Sequence, residues 1–531
     1  MRSSDKRQAS PTKHIVHGRG GFAALLVTAA LGTAFASGCR VTEDDIQRWG
    51  SRAQGPRRLV AVLTHDKYST PLRVEAAMTL VHMKPRGGRQ IGLQGNDEFT
   101  GLTDALADLP PESRAKVVEG MVPRLEAELL KVPAAGQPDE SFQAKDAVYA
   151  LLTQQNGSLV TDAALRARLL NALTKWSNTN FAARLDDTSQ LYGMEQVLRL
   201  LKHDGVRGLT SEIQPGSKKI DTVAKLIDEL GDAKTKADAS ARLVKVAEQV
   251  DSDAWLKQKA PQLESLNKAA KLKVNEKQFQ AQLEQYQEEE LLRVFAPMKA
   301  VGQKPVVDYL LAYAQNASRS EKRRTAALAA LEGNLDRHNP ETARILLDLL
   351  ASDATPDQLR DIAARRVGEL SRDQVIERLY SLFDNKRWQV RWIVASLVLK
   401  MSEAQHLDEF MTKLGDTKGF ALSEPLSYGP LLHDLKGAKP EDLVAKYTPK
   451  GHPVQARLTA LGYWYKYGGK ADVAKVEPYA KDGQEVPKCL PDATECTWEC
   501  SVTVGATSEV KPVKTVGDFV EYCIKPALSA R

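Results

Sequence analysis

The chain has 531 residues, 42% of them apolar, 27% charged and 6% aromatic, which is the mix of a folded, helix-favouring, soluble protein. That length exceeds one ordinary compact domain, so several domains or one elongated repeat array is expected. The formal charge is +6, but residues 1–38 carry Arg2, Lys6, Arg7, Lys13 and Arg19 against Asp5 alone. A body left at about +2 gives no electrostatic case for binding nucleic acid.

In chain order, residues 1–21 are polar and basic, and FAALLVTAALGTAFA (22–36) carries no charge. As a helix it spans roughly 22 Å, short of a hydrocarbon core of about 30 Å. Ala36, Ser37 and Gly38 then precede Cys39. A basic region, a short apolar core and a small-residue site predict a secretory signal peptide over 1–38. ASGC (36–39) resembles the lipobox of bacterial lipoproteins, with Ala36 where leucine is commonest. The resemblance implies a diacylglyceryl group on the Cys39 sulfur and an acylated (palmitate-type) new amino terminus. An ordinary cleavage site before a free thiol is the alternative. Several acyl chains give stable anchoring where one is marginal. In Gram-negative lipoproteins an aspartate after the cysteine signals inner-membrane retention. Arg40 stands there, so the outer membrane is expected, with the body in the periplasm or at the cell surface. No later stretch reaches 18 apolar residues, so the body is expected to be soluble and tethered.

The body repeats one pattern, a basic residue followed by small and apolar residues at helical spacing. It reads LRVEAAMTLVHM (72–83), LRARLLNALTKW (165–176), KRRTAALAALEG (322–333), LRDIAARRVGEL (359–370) and VRWIVASLVLKM (390–401), with VQARLTALGYWY (454–465) a looser copy. Another apolar helix pattern and a polar turn precede the later copies, as in ETARILLDLLASDATPDQ (341–358). Ile345, Leu346, Leu349 and Leu350 form a stripe that one hairpin cannot bury, so neighbouring hairpins must stack. Alanines such as Ala326, Ala327, Ala363 and Ala364 permit close approach. The turn-proximal arginines and aspartates are expected to pair or to cap helix ends. The pattern resembles HEAT and armadillo repeats. The fold expected is therefore mainly α, a HEAT/armadillo-like α-solenoid with repeats over 39–204 and 301–480.

Two stretches interrupt the pattern. PRGGRQIGLQGNDEF (85–99) lacks the spacing of a phosphate loop and reads as a connection between helices. Residues 205–300 form a charged, coiled-coil-like segment. Within 232–295, Leu243, Ala247 and Val250, then Phe279, Leu283 and Tyr286, keep a three–four spacing that suits long helices along one seam, projecting from or bridging the solenoid, with intramolecular packing preferred to a partner-binding coiled coil. Pro261 is expected to interrupt them, and QEEELL (287–292) to be a solvated face. NKRWQVRW (385–392) sets Arg387, Trp388, Arg391 and Trp392 at a repeat turn, a composition favoured at binding hot spots. Repeat packing is the competing explanation for Trp392. GYWYKYGGK (462–470) reads as a loop.

After Pro487 the helical pattern stops, and residues 481–531 are expected to form a small α+β cap. CTWECSVTV (496–504) reads as a strand and KTVGDFVEYCIKPAL (514–528) as a helix. Cys489, Cys496, Cys500 and Cys523 follow a C-x6-C-x3-C-x22-C spacing, a weak match to zinc. Export favours disulfides. Three pairings are possible, of which Cys489–Cys496 across a turn with Cys500–Cys523 is preferred.

The body shows no HExxH, GxSxG or Walker motif, and its histidines are scattered. No catalytic residue, cofactor or metal is assigned, and the chain is read as a non-enzyme. In organisation it is similar to HEAT-repeat lipoproteins of Gram-negative bacteria, including myxobacteria. That resemblance implies a lipid-anchored envelope scaffold, held to the membrane by its N-terminal lipid and binding a protein partner. An envelope enzyme acting on peptidoglycan or protein, and a structural spacer, are the alternatives.

Overall fold

The computed structural model describes residues 41–531 apart from 86–89, 134–138, 155–157, 187–190, 494–495 and 505–506. The leader, Cys39 and Arg40 thus lie outside the described residues. Contacts divide the chain into two compact units, Met1–Leu169 and Leu170–Arg531.

The first unit opens with α1 (Glu43–Gly50), α2 (Gly55–Thr64) and α3 (Thr70–Val81), which pack on one another. Thr42 caps α1 through a reciprocal box with Asp45. A short turn α4 (Ile91–Gln94) and a two-residue hairpin, β1 (Gly95–Asn96) with β2 (Phe99–Thr100), occupy much of the interhelical connection. There follow α5 (Leu102–Ala107), α6 (Pro111–Leu129), α7 (Ser141–Thr153) and α8 (Ala163–Asn178), within which the division falls. Gly120 lets α6 cross α3 closely, since a Cβ there would stand 2.6 Å from Val74 Cγ2. Ile46, Leu63, Met78, Met121 and Leu151 form the core between these helices.

The second unit begins with α9 (Phe181–Asp186), α10 (Met194–Leu201), α11 (His203–Arg207) and α12 (Ile220–Leu230). Three long helices follow: α13 (Ala233–Val250), α14 (Asp253–Ala269) and α15 (Glu276–Met298). Ser252 caps α14 and Asn275 caps α15. α13 and α15 are not a separate coiled coil, because α12, α16 and α17 pack on them. Pro261 does not interrupt α14. It is exposed, so water can serve the carbonyl its missing N–H leaves free. QEEELL is likewise only partly solvated. Gln287 is buried and donates to Val250 O at 2.7 Å, and Glu290 is buried with its carboxylate bound by Gly216 N and Arg293. Polar residues enter this interior because each finds a specific partner.

The stack continues as α16 (Lys304–Gln315), α17 (Glu321–Ala330), α18 (Pro340–Ala351), α19 (Asp357–Val367), α20 (Arg372–Ser381), α21 (Trp388–Ser402), α22 (Leu407–Gly415), α23 (Ser423–Leu431), α24 (Pro440–Tyr447) and α25 (Val454–Tyr467). α16 pairs with α17, α18 with α19, α20 with α21 and α24 with α25. First-row helices α16, α18 and α20 touch in turn, as do α15, α17 and α19, and then α21, α23 and α25, in the second row. Two rows of hairpins with a continuous interior make an α-solenoid. GYWYKYGGK is a loop only from Gly468. Its first six residues end α25, because Gly462 meets the Pro425 carbonyl and Gly429 meets Gly462, an approach between α23 and α25 that a Cβ would block.

One device recurs through both units. An arginine sits at the fourth position of a second-row helix and donates to a carbonyl at the end of the helix before it. Arg73 Nε reaches Leu63 O at 2.7 Å, Arg324 reaches Ala314 O at 2.7 Å, Arg360 reaches Leu350 O at 3.2 Å and Arg457 reaches Thr448 O at 2.8 Å. Arg184, fourth in α9, bonds Trp176 O in the same way. The final carbonyls of a helix lack intrahelical partners and carry its negative dipole end, so a guanidinium there satisfies both. These arginines are buried, and each fixes the angle between the two helices of its hairpin.

The last repeat is covered by the α+β cap. β3 (Glu499–Val504) pairs antiparallel with β4 (Thr507–Pro512), and α27 (Val516–Phe519) runs through a π turn into α28 (Lys525–Ser529); α26 (Val473–Val476) precedes them. Val516, Phe519, Ile524 and Leu528 are fully buried, and α27, the π turn and α28 all pack on α25. Disulfides join Cys489 to Cys496 and Cys500 to Cys523, with Cα separations of 5.8 and 5.6 Å.

Candidate protein-binding surface

The residues singled out at the repeat turn fall into three environments on α21. Trp388, Arg391 and Trp392 are its first, fourth and fifth residues, so helical spacing sets the two indoles one turn apart on one face.

Arg391 is removed from the surface. Its side chain is 3% exposed, and its Nε donates to Glu424 Oε1 at 2.7 Å. Its Nη1 donates to Asn385 O at 2.9 Å and Lys386 O at 3.2 Å. This is the hairpin arginine of its repeat, here also tied to the next repeat through Glu424. Burial pushes the Glu424 carboxyl above its ordinary value, and Arg391 and the Ala421 N–H only partly oppose this. The expectation that Arg391 contacts a partner is therefore corrected: its position in the helix directs it inward.

Trp388 is half-buried and stacks on Tyr428 of α23 at 5.9 Å between centroids, with the Arg391 guanidinium 5.6 Å from its ring. Trp392, for which repeat packing was the competing explanation, is 43% exposed. Arg387 is partly exposed. Its Nε lies 3.5 Å from Asp353 and its Nη1 3.8 Å from Asp357, while Lys386 Nζ lies 2.6 Å from Asp353. Lys386 and the neighbouring Arg387 hold the Asp353 carboxyl below its ordinary value. The surface thus consists of an exposed indole, the flank of a second, and a basic turn held in place by an aspartate one repeat earlier. Asp353, Asp357, Glu424 and Tyr428 went unrecognised in the sequence. Aligning the turns at the repeat period would have set Asp353 opposite Lys386.

The first unit carries a groove of about 590 Å³ among Gln47, Glu75, His82 and Arg124. Glu75 accepts from Arg124 Nη1 at 2.7 Å and from Gln47 Nε2 at 3.2 Å. Partial burial pushes the Glu75 carboxyl up, but the hydrogen bonds from Arg124 and Gln47 outweigh this and keep it ionised. His82 Nε2 lies 2.9 Å from Glu128. The acids of this groove are matched to bases, an arrangement that fixes helix positions.

Among the described residues, no group of three or more His, Cys, Asp or Glu could hold a metal ion, and no helix is long and apolar enough to cross a membrane. No family profile and no curated protein matches the chain. A solved structure described as "Crystal structure of Kap121p bound to Nup53p" is similar at 13% identity and a TM-score of 0.29, covering 82% of this chain and 43% of that one. The chain spans less than half of that protein's length, and a likeness at this score carries no argument.

Proposed function

We propose that the chain is a scaffold of the Gram-negative cell envelope, anchored by lipid on Cys39, that holds a protein partner on the outer face of α21. The observation that carries the partner reading is Trp392. In α17 and α19 the same fifth position is Thr325 and Asp361, so the stack does not need an indole there. An exposed tryptophan beside a second indole and an ordered arginine has the composition of an interface hot spot. The anchor and the outer-membrane address rest on the leader and on ASGCR (36–40) alone.

The test places a photo-reactive amino acid at Trp392 in the full chain within native envelopes. A discrete protein adduct, lost when Arg387→Glu is added, is expected; no adduct, or one indifferent to that change, sinks the partner reading. Fractionation of Cys39→Ser tests the anchor separately, with release from membranes expected and unchanged sedimentation counting against it.

A further inference from the structure

The tip between α14 and α15 differs from the rest of the surface. From 264 to 277 the chain carries Lys268, Lys271, Lys273 and Lys277 against Glu264 and Glu276. Against a nearly neutral body, this is a concentrated positive charge. These four lysines enter no ion pair among the described residues, whereas some lysines elsewhere in the unit do pair with neighbouring carboxylates, as Lys219 does with Asp186 and Lys446 with Asp408.

Two leucines stand within this stretch, and both face water. Leu266 is 59% and Leu272 56% exposed. The backbone brings them to one end of the hairpin. Leu272 N donates to Asn267 O at 2.9 Å and Lys271 N to Lys268 O at 3.1 Å, with Lys271 at φ +55°, which is a Schellman stop. In that motif the residue after the left-handed position commonly meets the helix side chains five or six places before it, and Leu266 stands six places before Leu272. Glycine is the unstrained residue at the left-handed position, yet lysine occupies it. The conformation is held from behind, where buried Asn267 donates to Gln282 at 2.9 Å and α14 rests on α13 and α15.

We infer that this tip docks on an anionic lipid surface. Unpaired lysines gain from a negative headgroup layer without any fixed geometry, and two exposed leucines can enter the acyl boundary while the lysine stems extend back to the headgroups. A protein partner would be expected to use an aromatic anchor or a shaped groove, and the exposed residues from Leu266 to Lys273 supply neither.

The experiment uses the full chain carrying Cys39→Ser, so that no N-terminal lipid contributes, with an environment-sensitive dye on Ala270→Cys. On phosphatidylglycerol-containing vesicles the dye is expected to shift to the blue, with the shift reversed by salt. On pure phosphatidylcholine vesicles no shift is expected. Each lysine charge near the surface contributes roughly fivefold, so replacing Lys268, Lys271, Lys273 and Lys277 by glutamine should raise the lipid needed for half the shift more than tenfold. Leu266→Ser with Leu272→Ser should abolish the shift. Far-UV dichroism checks that these exposed changes leave the fold intact. An absent shift on anionic vesicles, an equal shift on both vesicle types, or a shift undiminished in either variant overturns the inference. Because the dye reports the tip alone, the result stands apart from the α21 surface and from the anchor.

Discussion

Two joints in the second unit are built from the same part and behave differently. At the α21 joint, Arg391 meets Glu424 of the next repeat; at the end of the stack, Arg457 meets Asp482 of the cap at 2.5 Å. Both arginines are the fourth residue of their helix, and both are buried. Partial burial pushes the Asp482 carboxyl up, but Arg457, the Gln484 N–H at 3.0 Å and Lys450 at 3.5 Å outweigh it and hold it below its ordinary value. At Glu424, burial wins and the carboxyl stays above its ordinary value. A repeat-to-repeat joint can therefore tolerate a carboxylate that gains little from being ionised. The cap joint has no further repeat behind it and uses an aspartate held below its ordinary carboxyl value, two disulfides and the Gly517 N–H on Asp482 O at 2.9 Å.

Removing the arginine should separate the joints most sharply. Arg457→Ala leaves Asp482 charged and buried with only the exposed Lys450 and the Gln484 N–H as partners, and frees the Thr448 carbonyl. A loss of about 3–5 kcal/mol is expected in urea unfolding of the chain. Arg391→Ala should cost less at mildly acidic pH, because Glu424 can take up a proton there. Equal losses at every pH would break the comparison. Next in size, Cys500→Ser with Cys523→Ser removes the tie between β3 and the cap helix and should cost about 2–4 kcal/mol, read as an earlier urea midpoint for the cap. The denatured, unreduced wild-type body should show no titratable thiol at its four C-terminal cysteines.

The pH dependence has opposite signs at the two joints. Asp482 has a depressed folded-state pKa, so its contribution is fully present above the unfolded carboxyl value of roughly 4 and is lost as the pH falls through the folded value. Glu424 has a raised one, so its contribution is fully present below roughly 4.3 and is lost as the pH rises through the folded value. Asp482→Asn should destabilise at neutral pH and flatten the acid limb. Glu424→Gln should be close to neutral and flatten the higher-pH limb. Unfolding midpoints across the pH range read both, and identical profiles for the two variants would contradict the assignment.

The hairpin register was legible because it is periodic. The arginine-then-small pattern marks a buried capping arginine in four of its copies, Arg73, Arg324, Arg360 and Arg457, while Arg166, at the same fourth place in α8, is only half-buried. Arg184 was missed because its helix is only a turn and a half long and shows no stripe. What the sequence could not show was direction within one turn of helix. Arg391 and Trp392 are adjacent, equally hot-spot-like in composition, and point in opposite senses, because a rotation of about 100° per residue separates them. Gln287 and Glu290 were misjudged for the same reason, since a polar residue reads as solvated unless its partner, here Val250 O or Gly216 N, is known.

The smallest expected effect sharpens that last distinction. Trp388 covers Tyr428, whereas Trp392 meets solvent, although the two share a helix face and were grouped by one sequence motif. Trp388→Ala should uncover an aromatic stack and cost about 1–3 kcal/mol, while Trp392→Ala should stay within about 0.5 kcal/mol of the parent. A Trp392→Ala change that matched Trp388→Ala in urea unfolding would make Trp392 a packing residue after all. A silent one leaves an exposed indole that folding stability does not require, and that is the property a partner-contacting residue must have.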